Sequence, residues 1–444
     1  CTNAKITGRA ALDSVIFTGN GTTSAIHKLI DTMGLNTPLP VDLSLGGSAS
    51  ECDYDIYKPL VLTSSYEHHS NLLPWRESVA DVIAIKYSPI TGVCLNDLKY
   101  YLIKYKYKKI IIGAFAAASN VTGQMTAVDD VSILVHKIYT NANTNSNSKS
   151  NSDSKINSNS IYGRYVFFDY ATAAPYVNID MNPNLISIDT HSTHTYLSND
   201  DFDNKLVYKD AIYFSGHKFA GGPGTPGVLI CKRKLLSGAY NVSPSTSGGG
   251  TVFYVTNDHH RYLTNAEERE EGGTPHIIGD IKLGLICKIK QEIGSKWIEN
   301  EEMIIEKKIR NKLLKIPNLL LLGRWNNDNN DNNDNTNNND NTNNNDGNRN
   351  SCGKYLPIFS FLIKYKKRWL HPNFISLLMN DLFGIQLRSG CQCAGPFSQL
   401  LLGINNINNY NIEMELLDKN EILRPGYSRF SLPYWSSTSE INYI

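Results

Sequence analysis

Short apolar runs recur along the first two-thirds of the chain, each separated from the next by a helical or polar stretch. Residues 14–18, 60–64, 82–87, 109–114, 165–169, 211–214 and 227–231 are rich in β-branched and aromatic side chains and read as strands. Strands that stay apolar throughout are buried on both faces, which requires helices above and below the sheet. Residues 24–33 supply the first such helix, behind the turn Gly19-Asn20-Gly21-Thr22-Thr23. The expectation is an α/β fold whose large domain holds a mostly parallel, seven-stranded sheet sandwiched by helices.

The pattern changes near residue 277. Residues 277–294 and 296–315 take helical spacing. Beyond Lys354 a strand at 355–363, a helix at 372–382, a strand at 385–389 and a short strand at 429–432 suggest a smaller α+β domain. The expected division is a large domain at 1–290 and a small C-terminal domain at 291–444. Two tracts interrupt it, at 141–160 and 326–350, both dominated by Asn, Ser, Asp and Thr. With so few apolar side chains they cannot offset the entropy of ordering, and they read as disordered surface insertions. They also account for a hydrophobic fraction of only 41%.

Lys and Arg total 43 against 42 Asp and Glu, a net charge of +1. A nucleic-acid or membrane-surface protein usually carries a basic excess, so neither partner is expected. No apolar run reaches the ~20 residues of a membrane span. Eight cysteines in so long a chain do not make a disulfide framework, and a reducing compartment is expected. The opening residues show no secretory signal pattern. Since the chain starts at Cys1 without Met, a processed or partial chain is expected. Cytoplasmic location is the expectation, with organelle targeting left open.

Four segments carry chemistry. Lys218, in Ser215-Gly216-His217-Lys218-Phe219, follows a strand end among small residues, where partial desolvation lowers an amine's pKa and frees it for Schiff-base chemistry. Taken alone it reads far more readily as solvated surface charge. Asp169 ends an apolar strand, placed either to pair with a protonated ring nitrogen or to cap a helix. Gly19 to Thr23 joins strand to helix, a setting that suits a phosphate, although no Lys follows as in a Walker loop. In Glu67-His68-His69-Ser70-Asn71 adjacent histidines cannot both face one point in an extended chain, so one imidazole facing a ligand ring competes with a structural role.

In this order, these segments resemble the class V aminotransferase family of pyridoxal-phosphate enzymes, and within it the cysteine desulfurases and selenocysteine lyases. The ordered set also includes Ser119-Asn120, Gly272-Gly273-Thr274-Pro275 and Arg388-Ser389-Gly390-Cys391-Gln392-Cys393-Ala394. The resemblance implies the fold-type-I architecture with its smaller C-terminal domain, and pyridoxal 5'-phosphate as cofactor. Lys218 would hold the cofactor as a Schiff base and later move protons. Asp169 would pair with the pyridine nitrogen, and His68 would stack on the ring and shuttle a proton. Gly21, Thr22, Thr23, Ser215 and His217 would bind the phosphate. Asn120 would lie beside the ring near the substrate. Thr274 would reach the phosphate of a neighbouring subunit, implying a homodimer with shared sites. Arg429 would clamp the substrate carboxylate with its planar guanidinium, and Arg388 would assist. Cys393 aligns with the persulfide nucleophile, and a thiolate beside a cation is the more nucleophilic at neutral pH. Cys391 and Cys393 lack the second Cys/His pair of a zinc site, so no metal is expected.

Two departures stand out. Desulfurases usually place Gln three residues after the pyridine Asp to bond the cofactor's phenolic oxygen; here that position is Thr172, whose shorter hydroxyl must reach directly or through water. The family also has a longer stretch before the phosphate loop. The leading expectation is desulfuration of L-cysteine or selenocysteine, giving alanine and an enzyme persulfide that a sulfur-acceptor protein receives. A class V aminotransferase or lyase acting on another amino acid without a persulfide step is the alternative. A non-enzymatic scaffold would lack the cofactor altogether.

Overall fold

The structure, a computed structural model, describes residues 2, 4–5, 12–36, 55–144, 163–183, 196–198, 201–236, 243–323 and 353–444. Seven strands form its main sheet, in the spatial order Asp13–Thr18, Gly227–Lys232, Ala211–Ser215, Gly163–Asp169, Ile110–Ala116, Leu60–Ser64 and Asp81–Ile85. The last five pair in parallel, and Gly227–Lys232 is antiparallel to both of its neighbours. This is the mostly parallel, helix-covered sheet that the recurrent apolar runs led us to expect. Every residue of Leu60–Ser64, Ile110–Ala116, Gly163–Asp169 and Ala211–Ser215 is buried. Successive side chains point to opposite faces, so Phe167 joins one core cluster and Phe168 the other, as Val61 and Leu62 do. The parallel strands end together at Ser64, Ala116, Asp169 and Ser215. The carboxyl edge of such a sheet is where α/β folds bind ligands.

A second, antiparallel sheet is built from Leu319–Leu321, Ile358–Tyr365, Tyr427–Ser431 and Arg388–Gly390 in that order, with Arg368–Trp369 folded back on Ile358–Tyr365. Its own core gathers Ile305 and Ile309 from the helix Ser295–Leu313, Phe359 and Phe361, Ile375 from the helix Pro372–Phe383, and Ile441. The two sheets meet near the carboxyl edge of the first. Ser360 Oγ donates to Val121 O at 2.6 Å, and Leu356 N donates to Gly123 O at 2.7 Å. Gly123 takes a φ of 75°, and a Cβ there would stand 2.3 Å from Leu356 O, so only glycine permits this seam.

Several boundaries differ from expectation. The strand expected at 385–389 is shorter, Arg388–Gly390, because it pairs only where Tyr427–Ser431 lies opposite. The helix Val128–Thr144 runs into the first polar tract, so residues 141–144 are helical rather than part of an irregular insertion. Its next residues, 145–160, and the whole 326–350 tract lie outside the described residues. A hairpin, Val252–Val255 with His260–Tyr262, and a helix, Asn406–Leu417, had no counterpart in the sequence reading. Neither shows an apolar stripe turned to a core: the helix buries no residue, and Phe253, Tyr254 and Val255 are exposed.

Candidate active site

A cavity of about 280 Å³ opens where the two sheets meet. His68, Asn120, Thr172 and Lys218 line it from the carboxyl edge of the main sheet, and Arg388, Gln392 and Arg429 line it from the second sheet. Residues far apart in the chain are brought together because strands in both sheets end at the same seam.

Asp169 stands just before Ala171 and Thr172 of the cavity wall. It is the last residue of its strand, buried, with Oδ1 accepting from Ala171 N at 2.7 Å. Burial pushes its carboxyl up, and the positive charge of Lys218 opposes that rise. Lys218 closes the 3-10 turn Gly216–Lys218 directly after Ala211–Ser215. Its surface is open to the cavity, yet protein surrounds the amine, and the surroundings rather than the open surface set its proton affinity. Desolvation lowers the pKa, helped by Arg429 and Arg388 and opposed by Asp169. The amine and the carboxylate thus face each other across a poorly solvated space.

His68 stands on the wall. Its Nδ1 accepts from Ser70 N at 3.1 Å. Burial, then the nearby Lys218, depress its pKa to about 4, so at neutral pH the imidazole is uncharged and carries its proton on Nε2. Behind it lies a buried network. Glu67 Oε1 accepts from Ser64 Oγ at 2.5 Å and Ala116 N at 2.9 Å, and Oε2 accepts from Asn71 Nδ2 at 2.7 Å. Asn71 Oδ1 in turn accepts from Tyr213 OH at 2.6 Å. These bonds tie the ends of three strands to the histidine turn. Burial raises Glu67 to about 7 against them.

At one end, Gly21 adopts φ 63° at the start of the helix Gly21–Thr32. A Cβ there would come within 2.6 Å of Ser215 Oγ and 3.0 Å of His217 Cε1. Ser215 Oγ accepts from Thr22 N at 2.9 Å and shares a hydrogen bond with Thr22 Oγ1 at 2.8 Å, while Thr23 Oγ1 bonds Ser70 Oγ at 2.8 Å. Hydroxyls and a helix N-terminus therefore converge on a small cradle that only glycine leaves open, the donor set of a phosphate site. Thr274 is not part of this cradle. It is exposed and lines a separate cavity of about 470 Å³ with Gly19, Asn20, Glu271 and Asp280.

At the other end, Arg388 and Arg429 sit opposite each other on paired strands. Neither forms an ion pair among the described residues. Arg429 Nη1 donates to Asn120 O at 2.7 Å, and its buried Nε has no partner. The buried Asn120 Oδ1 is likewise unpartnered. Two adjacent guanidiniums with a spare donor suit a carboxylate. Cys393 lies beside them, Sγ 4.0 Å from Arg388 Nη2, near enough for its charge to act on Lys218 and Arg429.

Every group that pyridoxal phosphate requires of a protein has a chemically suited residue here. The chain supplies a buried carboxylate, a hydroxyl-lined cradle, and a desolvated amine and an uncharged imidazole that both line the cavity. Thr172, on the cavity wall, occupies the position where the family expectation was Gln.

The sequence reading missed Tyr176 and Glu302. Both line the cavity, and Glu302, from the helix Ser295–Leu313, is only 3% exposed. It lies one turn from Ile298 and Ile305 on a buried face that also carries Glu306, so the sequence did not single it out. Burial raises its carboxyl to about 8, although Tyr434 N hydrogen-bonds it, and Oε1 has no partner. The folded chain therefore holds this proton more tightly than the unfolded one does. Stability contributed at Glu302 is present below its ordinary value of 4.5 and is lost as pH rises through about 8. Glu302→Gln should flatten the fall in melting temperature between pH 5 and 9 and leave the variant the more stable at pH 9; melting scans across that range check it.

The class V aminotransferase family model matches residues 197–346. Over that segment the chain is similar to the class V aminotransferases. A curated relative from Pyrococcus abyssi, named a probable cysteine desulfurase, is 27% identical over 259 residues, covering 58% of this chain and 52% of the relative. The chain thus spans about half the length of that relative. Among solved structures, the cysteine desulfurase from Thermococcus onnurineus NA1 superposes with a TM-score of 0.60 at 21% identity, over 96% of this chain and 76% of the other. A mutant of C-DES, described with glycine covalently linked to its PLP cofactor, gives 0.56 at 14% identity, over 97% and 78%. These likenesses show the fold, the fold-type-I architecture.

Proposed function

We propose that this chain is a pyridoxal-phosphate-dependent cysteine desulfurase that takes sulfur from L-cysteine, releases alanine and carries the sulfur as a persulfide on Cys393. The observation that carries this reading is the position of Cys393 Sγ, 4.0 Å from the guanidinium of Arg388, which lines the same cavity as Lys218. In the balanced reaction, L-cysteine and the Cys393 thiol become alanine and the Cys393 persulfide: the carbon–sulfur bond of cysteine breaks and a sulfur–sulfur bond forms.

The cofactor, when bound, supplies an electron sink for the bonds around the substrate's α-carbon. Asp169 stabilises positive charge at a ring nitrogen. Lys218 anchors and, with its lowered proton affinity, takes and returns protons at Nζ. His68, uncharged, offers a ring face and an Nε2 proton. Gly21, Thr22, Thr23, Ser215 and His217 hold the phosphate, and Thr172 supplies a hydroxyl at the ring. Arg429 and Arg388 take the substrate carboxylate, with Asn120 orienting it. Arg388 also stands 4.0 Å from Cys393 Sγ, the sulfur that attacks.

The partners follow from the same reading. A second copy of the chain completes the site, with Thr274 reaching the other subunit's phosphate. Ile277, Ile278, Ile281, Leu285 and Ile289 leave an exposed apolar face on the helix that begins three residues after Thr274, and a twofold partner would cover it. A sulfur-acceptor protein receives the persulfide, and a reducing compartment such as the cytoplasm suits the free thiols of Cys391 and Cys393. Thr172, in place of the expected Gln, favours a second reading in which another amino acid is processed without a persulfide.

The test is stoichiometry. The purified protein, loaded with cofactor and given L-cysteine and a reductant, should yield alanine and sulfide one to one. Cys393→Ser should lose sulfide release by roughly 10²-fold or more, as a covalent group does when removed. Cofactor absorbance without sulfide, or full activity in Cys393→Ser, would overturn the desulfurase assignment.

A further inference from the structure

Cys393 and the residue before it hold an unusual backbone. Gln392 and Cys393 both lie in the left-handed region, at φ 57° and 56°. Neither is glycine, so surrounding bonds must maintain this conformation. Asn120 Nδ2 donates to Gln392 O at 2.7 Å. The other bonds come from His69, the second histidine of the Glu67-His68-His69 run. His69 N donates to Cys393 O at 2.7 Å, and His69 Nε2 accepts from Gly395 N at 2.9 Å. Gly395 opens the helix Gly395–Leu401. The first N–H groups of a helix have no partner inside it, and this one is capped by a side chain from the other sheet's edge. A Cβ on residue 395 would stand 3.2 Å from Nε2, so a side chain there would crowd the ring.

We infer that His69 is a positioning residue for Cys393: its backbone and ring together brace the left-handed turn at 392–393, fixing the thiol beside Arg388. The inference rests on the desulfurase reading for its consequence but not for its geometry. The bond from Gly395 requires an uncharged ring with an accepting Nε2, hence the proton on Nδ1. His68, adjacent in sequence, faces the cavity with the opposite assignment. The two neighbouring histidines thus divide the work, one toward the cavity and one toward the cysteine loop.

Amide exchange and variant chemistry test this on the full chain. His69→Ala keeps the backbone bond and removes the ring acceptor. His69→Gln restores an acceptor through its amide oxygen. We expect exchange at the Gly395 amide to accelerate about tenfold or more in His69→Ala and to return toward wild type in His69→Gln. For sulfide release, kcat should fall in His69→Ala at near-constant KM, with partial recovery in His69→Gln. Unchanged exchange in His69→Ala would overturn the inference. So would equal acceleration in both variants, which would assign the effect to ring packing rather than to the acceptor. If wild type itself releases no sulfide, the desulfurase reading fails and the exchange comparison alone decides the role of His69.

Discussion

Replacing Lys218 with alanine is expected to lower kcat by about 10³-fold or more and to let the cofactor leave on dialysis. The magnitude is that of losing a positioned proton-transfer group, ~10²–10⁴-fold, together with a covalent anchor. The surroundings explain why no neighbour substitutes. His68 is uncharged and its Nδ1 already accepts from Ser70 N, and Asp169 is buried with its Oδ1 held by Ala171 N. Lys218→Arg should be as inactive as Lys218→Ala, because a guanidinium stays protonated and cannot accept a proton near neutral pH. Visible absorbance of the dialysed protein and single-turnover alanine formation read the two effects separately. Retention of even a tenth of wild-type kcat in Lys218→Arg would contradict the role given to the amine.

The sequence made the main sheet legible because burial on both faces leaves little freedom in strand composition. The strand at 60–64 was placed to the residue, and 165–169 was short by only two at its start. Site residues at strand ends, Asp169 and Lys218, could be found because a strand fixes where its end projects. Features set by packing between distant segments were not legible. Glu302 sits on a helix whose other charged residues are mostly solvated, and only the neighbouring cavity distinguishes it. The bond from Gly395 to His69 spans 326 positions, and no local pattern announces it. The exposed hairpin at 252–262 and the helix Asn406–Leu417 escaped notice for the opposite reason. With little or nothing buried, neither carries the periodicity by which an element is recognised.

Gly227→Ala should be among the most destabilising single-methyl changes in the chain, by about 3 kcal/mol, at the upper end of the usual cost of overpacking. Gly227 begins its strand opposite both Thr18 and Ser215. An added Cβ would lie 2.1 Å from Gly21 O and 2.4 Å from Gly21 C. These are backbone atoms, so no rotamer change relieves the overlap. Gly21 cannot yield easily, since its φ of 63° opens the helix and its Cα already faces Ser215 Oγ. Either the strand shifts, breaking its register with two neighbours, or the Gly21 loop moves and carries Thr22 away from Ser215. Both routes damage the cradle, so retention of the cofactor should weaken along with stability. Gly284→Ala is the contrasting case. It lies within the helix Ile277–Ile293 with nothing of its own subunit within 4 Å of the new methyl, so within the subunit it should stabilise by about 0.5–1 kcal/mol by limiting the unfolded chain. Urea denaturation of the two variants at constant m-value checks the pair. A Gly227→Ala midpoint within experimental error of wild type would mean that the close approach of strand and loop is not rigid, and the cradle would then have to be assembled by the ligand rather than waiting for it.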